Sequence, residues 1–269
     1  MDAVGVIPSR FGATRFPGKP LTQIAGKPLI QHVVEGALKS KRLSQILVAT
    51  DHPEIAKVAE AAGARAVMTD PDLPSGTDRT WAALLTAGLT NSDVVVNIQG
   101  DEPLIEGGPL DSLVQAFDTR AELEMATLGR EMDLSTSEGI ESLVAMTTAK
   151  IVVDENDQAL YFSRLPIPFT RLSVSELQVL LAGERGEAIK QQSRKSVLKH
   201  VGIYAFRPRF LQRFCAAPPC GLEVFEGLEQ LRALSLGARI HVVRTHHESW
   251  GVDTPGDVEK IERLLKRRS

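Results

Sequence analysis

Cysteine is scarce in this chain of 269 residues: Cys215 and Cys220 are separated by four residues, with no second pair to complete a zinc site, and read as free thiols. No stretch approaches the roughly eighteen apolar residues of a membrane span, and only a short apolar run follows Asp2, which excludes a signal peptide pattern. The expectation is a cytoplasmic protein without a membrane partner. An excess of basic charge is also missing. A formal net charge of -3 argues against a general nucleic-acid binder, whose footprint would be a basic face. There is no internal repeat and no low-complexity tract, and the 43% hydrophobic content suffices for one large α/β domain or a domain with an insert. His246 and His247 are adjacent, so on a strand they would point to opposite faces, which disfavours a joint metal site.

One further absence is local. Between Arg10 and Lys27 there is no acidic residue, while Arg10, Arg15, Lys19 and Lys27 supply four cations directly after the apolar run Val4–Ile7. Glycines at 12, 18 and 26 let backbone amides approach a ligand, prolines at 17 and 20 stiffen the loop, and the cations match phosphate oxygens. A loop following a first strand lies outside its carboxyl end, where open α/β sheets bind ligands. The segment therefore reads as a nucleotide phosphate site, with a solvated basic loop as the bland alternative. It is not a Walker A loop: five residues separate Gly12 from Gly18, and Pro20 stands where the magnesium-binding hydroxyl would be. Nor does a Gly-x-Gly-x-x-Gly open the first helix.

Apolar runs alternate with helical periods. Strands are expected at Val4–Pro8, Gln45–Ala49, Ala64–Met68, Asp93–Gln99 and Glu124–Leu128, and helices near Pro28–Ser40, Pro53–Ala62, Thr77–Ala87 and Pro109–Asp118. This β-α order predicts an α/β fold, a mainly parallel central sheet with helices on both faces. Asp51-His-Pro53 and Ser75-Gly-Thr77 each offer a capping-type residue before a helix. The rhythm changes after about residue 130. Lys150–Asp154 and Ala159–Ser163 predict a hairpin with a four- or five-residue loop, so the C-terminal half contains a hairpin. A polar stretch, Thr170–Lys199, reads as a mobile excursion or an added helix. Val201–Phe206 and Arg239–Val243 follow as strands, Gly221–Leu236 and Pro255–Lys266 as helices.

Two carboxylates stand out. Asp101 closes the strand that ends in Gln99-Gly-Asp-Glu102, a good place to hold magnesium on a triphosphate. Asp253, before Thr-Pro, serves equally well as a second magnesium ligand or as a helix N-cap. Ser75, Gly76, Thr77 and Arg79 put free amides and hydroxyls at a helix start, suited to an anion, a base edge, or an ordinary cap. Glu223, Glu226, Gln230 and Glu229 fall within helical reach of one another, either facing polyol hydroxyls or a cation, or forming a solvated face.

Taken in order, Ile7-Pro-Ser-Arg-Phe-Gly-Ala-Thr-Arg-Phe-Pro-Gly-Lys-Pro-Leu21, Ala49-Thr-Asp51, Ser75-Gly-Thr-Asp-Arg79, Asn97-Ile-Gln-Gly-Asp-Glu-Pro103, Ala159-Leu-Tyr-Phe-Ser-Arg164, His200-Val-Gly-Ile-Tyr204, Leu228-Glu-Gln-Leu-Arg232 and Val252-Asp-Thr-Pro255 resemble the 3-deoxy-manno-octulosonate (Kdo) cytidylyltransferases over almost the whole chain. The resemblance implies a single nucleotidyltransferase domain, 1–269, of the kind seen in nucleotide-diphospho-sugar transferases. Within it, a subregion at about 130–205 would serve sugar binding and dimerisation. It implies a homodimer that joins CTP to a Kdo-type sugar acid, with Mg2+, ahead of lipopolysaccharide assembly. By motif, Arg10, Arg15 and Lys19 would hold the triphosphate, Ser75, Gly76 and Arg79 the cytidine or sugar acid, and Asp101 and Asp253 the magnesium. Arg15, Lys19, Asp101 and Asp253 would be catalytic. Gln99, His200, Tyr204, Glu223, Glu226 and Gln230 would line the sugar side.

The sequence departs from the Kdo pattern at Met146–Val152, where only Lys150 matches an expected Asn-Pro-Asn-x-Val-Lys-Val. Glu124–Gly129 and Ile167-Pro-Phe169 resemble the subset acting on 8-amino-Kdo. A carboxylate of the Glu223–Glu229 stripe would favour that sugar's ammonium, which predicts turnover of both sugars with a lean to the amine. A same-fold nucleotidyltransferase for an acylneuraminate or sugar-1-phosphate, and a catalytically silent nucleotide-binding module, are the competing readings.

Overall fold

A computed structural model of the chain describes residues 1–12, 16–134, 136–168 and 196–268. In chain order the main elements are β1 (Ala3–Ser9), α1 (Leu29–Ala37), β2 (Gln45–Thr50), α2 (Pro53–Ala61), β3 (Arg65–Met68), α3 (Gly76–Ala87), β4 (Val94–Asn97) and α4 (Gly107–Gln115). They continue as β5 (Met125–Glu131), α5 (Ser137–Val144), β6 (Lys150–Val153), β7 (Ala159–Ser163), β8 (Val197–Phe206), α6 (Pro208–Ala216), α7 (Gly221–Glu226), α8 (Gln230–Ser235), β9 (Ile240–Thr245) and α9 (Pro255–Arg268). Contacts group these into two compact units: residues 1–121, 202–216 and 247–269, and residues 122–201 and 217–246.

In the first unit β1 pairs in parallel with β2 and β4, β2 in parallel with β3, and the Tyr204–Phe206 end of β8 antiparallel with β4. Val4, Val6 and Ile7 of β1 and Val94, Val95 and Val96 of β4 have no exposed surface, the continuous apolar signature of strands covered on both faces. Helix α1 buries Leu29, Ile30, Val33, Val34 and Ala37, a stripe at helical spacing. The sequence left α6 without an element; it buries Phe210, Leu211 and Phe214, and its phenylalanines meet Phe206 with ring centroids 6.3–6.4 Å apart.

In the second unit β5 pairs in parallel with β9, and β6 runs antiparallel to both β8 and β7. The hairpin expectation holds, with residues 154–158 as the turn and Asp157 at φ 57. Helix α5 was not anticipated. Thr136 starts it by accepting from the Gly139 amide at 3.0 Å, and Ile140 and Leu143 pack on Met132, Leu134 and Val197. The expected helix Gly221–Leu236 is two short helices, because Gly227 adopts a left-handed conformation at φ 63 and ends α7. Strand β8 starts at Val197, inside the stretch Thr170–Lys199; residues 170–195 of that stretch lie outside the described residues. No helix among the described residues is long and apolar enough to cross a membrane.

Candidate active site

The loop after β1 is closed by backbone bonds. The Gly18 amide donates to the Phe11 carbonyl at 3.0 Å, and Gly18, at φ 70, turns the chain into a single helical turn, Lys19–Leu21. Beneath it Phe16 packs on a cluster of Ile24, Leu29, Leu104, Val252 and Ile261. That cluster joins the ends of three segments distant in sequence, each of which carries a charged candidate: Lys19, Asp101 and Asp253.

Lys19 Nζ lies 2.9 Å from Asp101 Oδ2 and 3.6 Å from Asp253 Oδ1, so one ammonium meets both carboxylates. Asp101 gets there because residue 100 is glycine: a Cβ at Gly100 would stand 2.6 Å from the Pro8 carbonyl oxygen at the end of β1. Asp253 is brought over by its neighbour, since the Val252 amide donates to the Asp101 carbonyl at 3.0 Å. Glu102, buried behind the site, accepts from the Ser249 hydroxyl and lies 3.7 Å from His247 Nε2, which ties the 247–249 segment to the same turn. The open choice at Asp253 between ligand and cap is narrowed by Asp257. Its carboxylate accepts from the amides of Asp253 and Thr254 at 3.0 and 2.8 Å and from the Thr254 hydroxyl at 2.9 Å, so the start of α9 has another cap.

These groups open on a cavity of about 350 Å³ lined by Pro8, Ser9, Arg10, Phe16, Lys19, Pro20, residues 73–76, Arg79, Gln99, Gly100, Asp101 and Asp253. It thus collects Arg10, Lys19, Ser75, Gly76, Arg79, Gln99, Asp101 and Asp253 from the expected site residues. Arg15 lies outside the described residues. Ser75 caps α3, accepting from the Asp78 amide at 3.1 Å. Gln99 donates to the Gly202 carbonyl at 2.9 Å. Tyr204 is nearly buried on β8, its ring 6.0 Å from that of Phe206, and does not line the cavity. Arg79 is buried. Desolvation, the larger effect, and the positive Arg10 hold its pKa below the ordinary arginine value, while Asp51 opposes them.

Sequence reasoning passed over Asp51 and Glu102 as site elements. In the sequence Asp51 reads as a helix cap and as part of the motif Ala49-Thr-Asp51, but His52 takes the capping role, its Nδ1 accepting from the Glu54 amide at 3.3 Å. A polar residue at the carboxyl end of a parallel strand was the available signal for both.

The remaining candidates belong to the second unit. His200 is held at Nε2 3.1 Å from the Thr127 hydroxyl and meets Phe162 edge-on at 5.3 Å. Desolvation, and secondarily Arg164, pushes its pKa down to about 3, so it is a neutral hydrogen-bonding group at pH 7. Glu223 is taken up in an ion pair with buried Arg232, Arg232 Nε donating at 2.8 Å and its terminal nitrogen bonding the other oxygen. Glu226 accepts from the Ser163 hydroxyl at 2.7 Å and the Arg164 amide at 3.0 Å. Gln230 is buried. Lys150, which has no exposed surface, donates to the carbonyls of Ala145 at 2.9 Å, Thr148 at 2.7 Å and Arg164.

The depressed His200 pKa sets a sign. The unfolded chain takes up a proton near pH 6.5 and the folded one near 3, so acidification in that window favours unfolding by about 1.4 kcal/mol per pH unit. Between pH 7 and 5 the native protein should lose about 2 kcal/mol more than a His200→Gln variant in paired urea denaturations. Equal losses would show that His200 is protonated in the fold.

A mainly parallel α/β sheet with a polar cavity at its strand carboxyl ends, walled by cations and two aspartates, suits a phosphorylated ligand, and comparison with known proteins makes the class that of a nucleotidyltransferase enzyme. A family model described as cytidylyltransferase matches residues 4–240, and the chain belongs to that family. It is 50% identical over 265 residues to a 3-deoxy-manno-octulosonate cytidylyltransferase of Bdellovibrio bacteriovorus, covering 98% of each chain. It is 42% identical to an 8-amino-3,8-dideoxy-manno-octulosonate cytidylyltransferase of Shewanella sp. (strain W3-18-1), covering 98% of this chain and 99% of the relative. The solved structure of CMP:2-keto-3-deoxy-manno-octonic acid synthetase complexed with CTP superposes with a TM-score of 0.84 at 36% identity, covering all of both chains.

Proposed function

We propose that this enzyme transfers the cytidylyl group of CTP to a Kdo-type sugar acid, giving the CMP-sugar and pyrophosphate for lipopolysaccharide synthesis. The observation that supports it best is the convergence of Lys19, Asp101 and Asp253 in one cavity, in a chain of the cytidylyltransferase family. The sugar's anomeric hydroxyl attacks the α-phosphorus in line and pyrophosphate departs. Lys19 and Arg10 neutralise charge that grows on the leaving phosphates, and the start of α3 offers amides to the nucleotide.

The donor set suits magnesium: two hard carboxylate oxygens at one place, leaving the other positions to phosphate oxygens and water. Among the described residues no three His, Cys, Asp or Glu side chains gather, so an all-protein cage for a metal is not built. Mg2+ held by Asp101 and Asp253 would act as a Lewis acid on the phosphate. Gln99, already in the cavity, is the candidate for the sugar side. A homodimer working in the cytoplasm, with sugar binding and dimer contacts in residues 130–205, completes the proposal.

Kdo is favoured over its 8-amino analogue. A lean to the amine requires a carboxylate free to meet its ammonium, whereas Glu223 is engaged with Arg232 and Glu226 holds the end of β7. Pyrophosphate release should be measured with each of the four nucleoside triphosphates against Kdo, 8-amino-Kdo and an acylneuraminate. CTP with a Kdo-type sugar should exceed every other pairing by at least a hundredfold, an edge a polar site reaches by leaving wrong groups unpaired. Release with no pairing would establish a silent nucleotide-binding module, and a preference for the acylneuraminate would move the enzyme to another sugar.

A further inference from the structure

Asp51 stands at the end of β2 and does not line the cavity, yet its side chain is about nine-tenths buried and holds both walls of it. One carboxylate oxygen, Oδ1, accepts from the Phe11 amide at 2.9 Å. The other, Oδ2, faces the Arg79 guanidinium at 3.8 Å. On the first side, Phe11 carries the grip into the phosphate loop. Its ring stacks on His52 with centroids 4.1 Å apart and planes 14° from parallel, and its carbonyl takes the Gly18 amide immediately before Lys19. On the second side, Arg79 passes the grip on through bonds to the Thr69 hydroxyl at 2.6 Å and the Pro71 carbonyl at 3.4 Å, in the segment that leads to cavity residues Leu73 and Pro74.

We propose that Asp51 is a positioning residue of the nucleotide site, whose single carboxylate fixes the phosphate loop and the facing wall at the spacing CTP requires. This rests on the cytidylyltransferase reading above. A buried carboxylate that takes a backbone amide on one oxygen and faces a guanidinium with the other makes charge-assisted contacts that a neutral group matches poorly. Without it both walls must be ordered by the incoming nucleotide, and that ordering is subtracted from affinity. The loss falls on CTP rather than on the sugar.

The test uses the whole chain with Asp51→Ala and Asp51→Asn. Calorimetric CTP affinity, KM for CTP, KM for Kdo, kcat and the nucleotide-free melting temperature are measured for each. Asp51→Ala should raise Kd and KM for CTP tenfold or more, with KM for Kdo within twofold. Asp51→Asn retains an acceptor for the Phe11 amide but not the charge facing Arg79, and should raise both CTP constants at least threefold. A CTP affinity within twofold of the native protein in a folded Asp51→Ala, or equal rises in the KM values for CTP and Kdo, overturns the proposal while leaving the cytidylyltransferase reading in place. If Asp51→Ala does not fold, Asp51→Asn decides, and a rise below threefold overturns it. A native protein that neither binds CTP nor releases pyrophosphate from it overturns the reading and the proposal together.

Discussion

Asp101→Asn should lower turnover about a thousandfold, equivalent to about 4 kcal/mol of transition-state stabilisation, and Asp253→Asn should follow it closely. An amide keeps the shape of the carboxylate but carries no charge, and the hard, strongly hydrated Mg2+ prefers anionic oxygen. Because Lys19 meets both carboxylates, either change also weakens the hold on its ammonium. The fold should tolerate both substitutions: the start of α9 is capped by Asp257, and the Val252 to Asp101 bond uses backbone atoms only. Steady-state pyrophosphate release at saturating CTP and magnesium, beside urea denaturation, checks this. Near-native turnover of Asp253→Asn would remove it from the metal site, and a loss of stability alone would return it to a capping role.

The second large effect is on stability. Lys150→Met keeps the length of a fully buried side chain but removes the common donor of three carbonyls, those of Thr148 and Arg164 and that of Ala145, which keeps the Thr148 amide at 3.2 Å. Each orphaned acceptor costs about 1–3 kcal/mol, offset in part because the charge itself is held at a desolvation cost, the leading cause of the lowered Lys150 pKa. A net loss of about 3–5 kcal/mol is expected in chemical denaturation. Lys150→Arg should not rescue it, since a planar guanidinium cannot point one nitrogen at three carbonyls. A change below about 1 kcal/mol would mean that water serves those carbonyls as well as the lysine does.

The βα rhythm of the first half was legible because each strand is a run of β-branched residues buried on both faces and each helix presents an apolar stripe. The basic loop and Asp101 stand out in the sequence for a related reason, that charge after a buried strand has few structural uses, whereas Asp253 reads equally well as a ligand or a helix cap. What the letters hid was assignment of partners. Glu223 and Glu226 read as an acidic stripe, but Arg232, Ser163 and the Arg164 amide meet them, and only Arg232 shares their sequence neighbourhood. Asp51 looked like a cap because the sequence shows its neighbour Pro53 and not Phe11, which is forty residues away. Helix α5 is only eight residues long, with a short apolar stripe, and α7 ends at a glycine whose left-handed turn the helical period alone does not reveal.

The first unit is assembled from three stretches of chain, and the bond from the Ala25 amide to the Glu262 carboxylate spans 237 residues. Lys19 therefore meets Asp253 only after 234 further residues have been made, the difference between their positions. At about 5–20 residues per second this takes roughly ten to fifty seconds on the ribosome. For the first 82 of those residues the loop of cations emerges without Asp101, and until the last of them it lacks Asp253. The nascent polypeptide thus offers phosphate anions a basic segment before both of its paired carboxylates are in place.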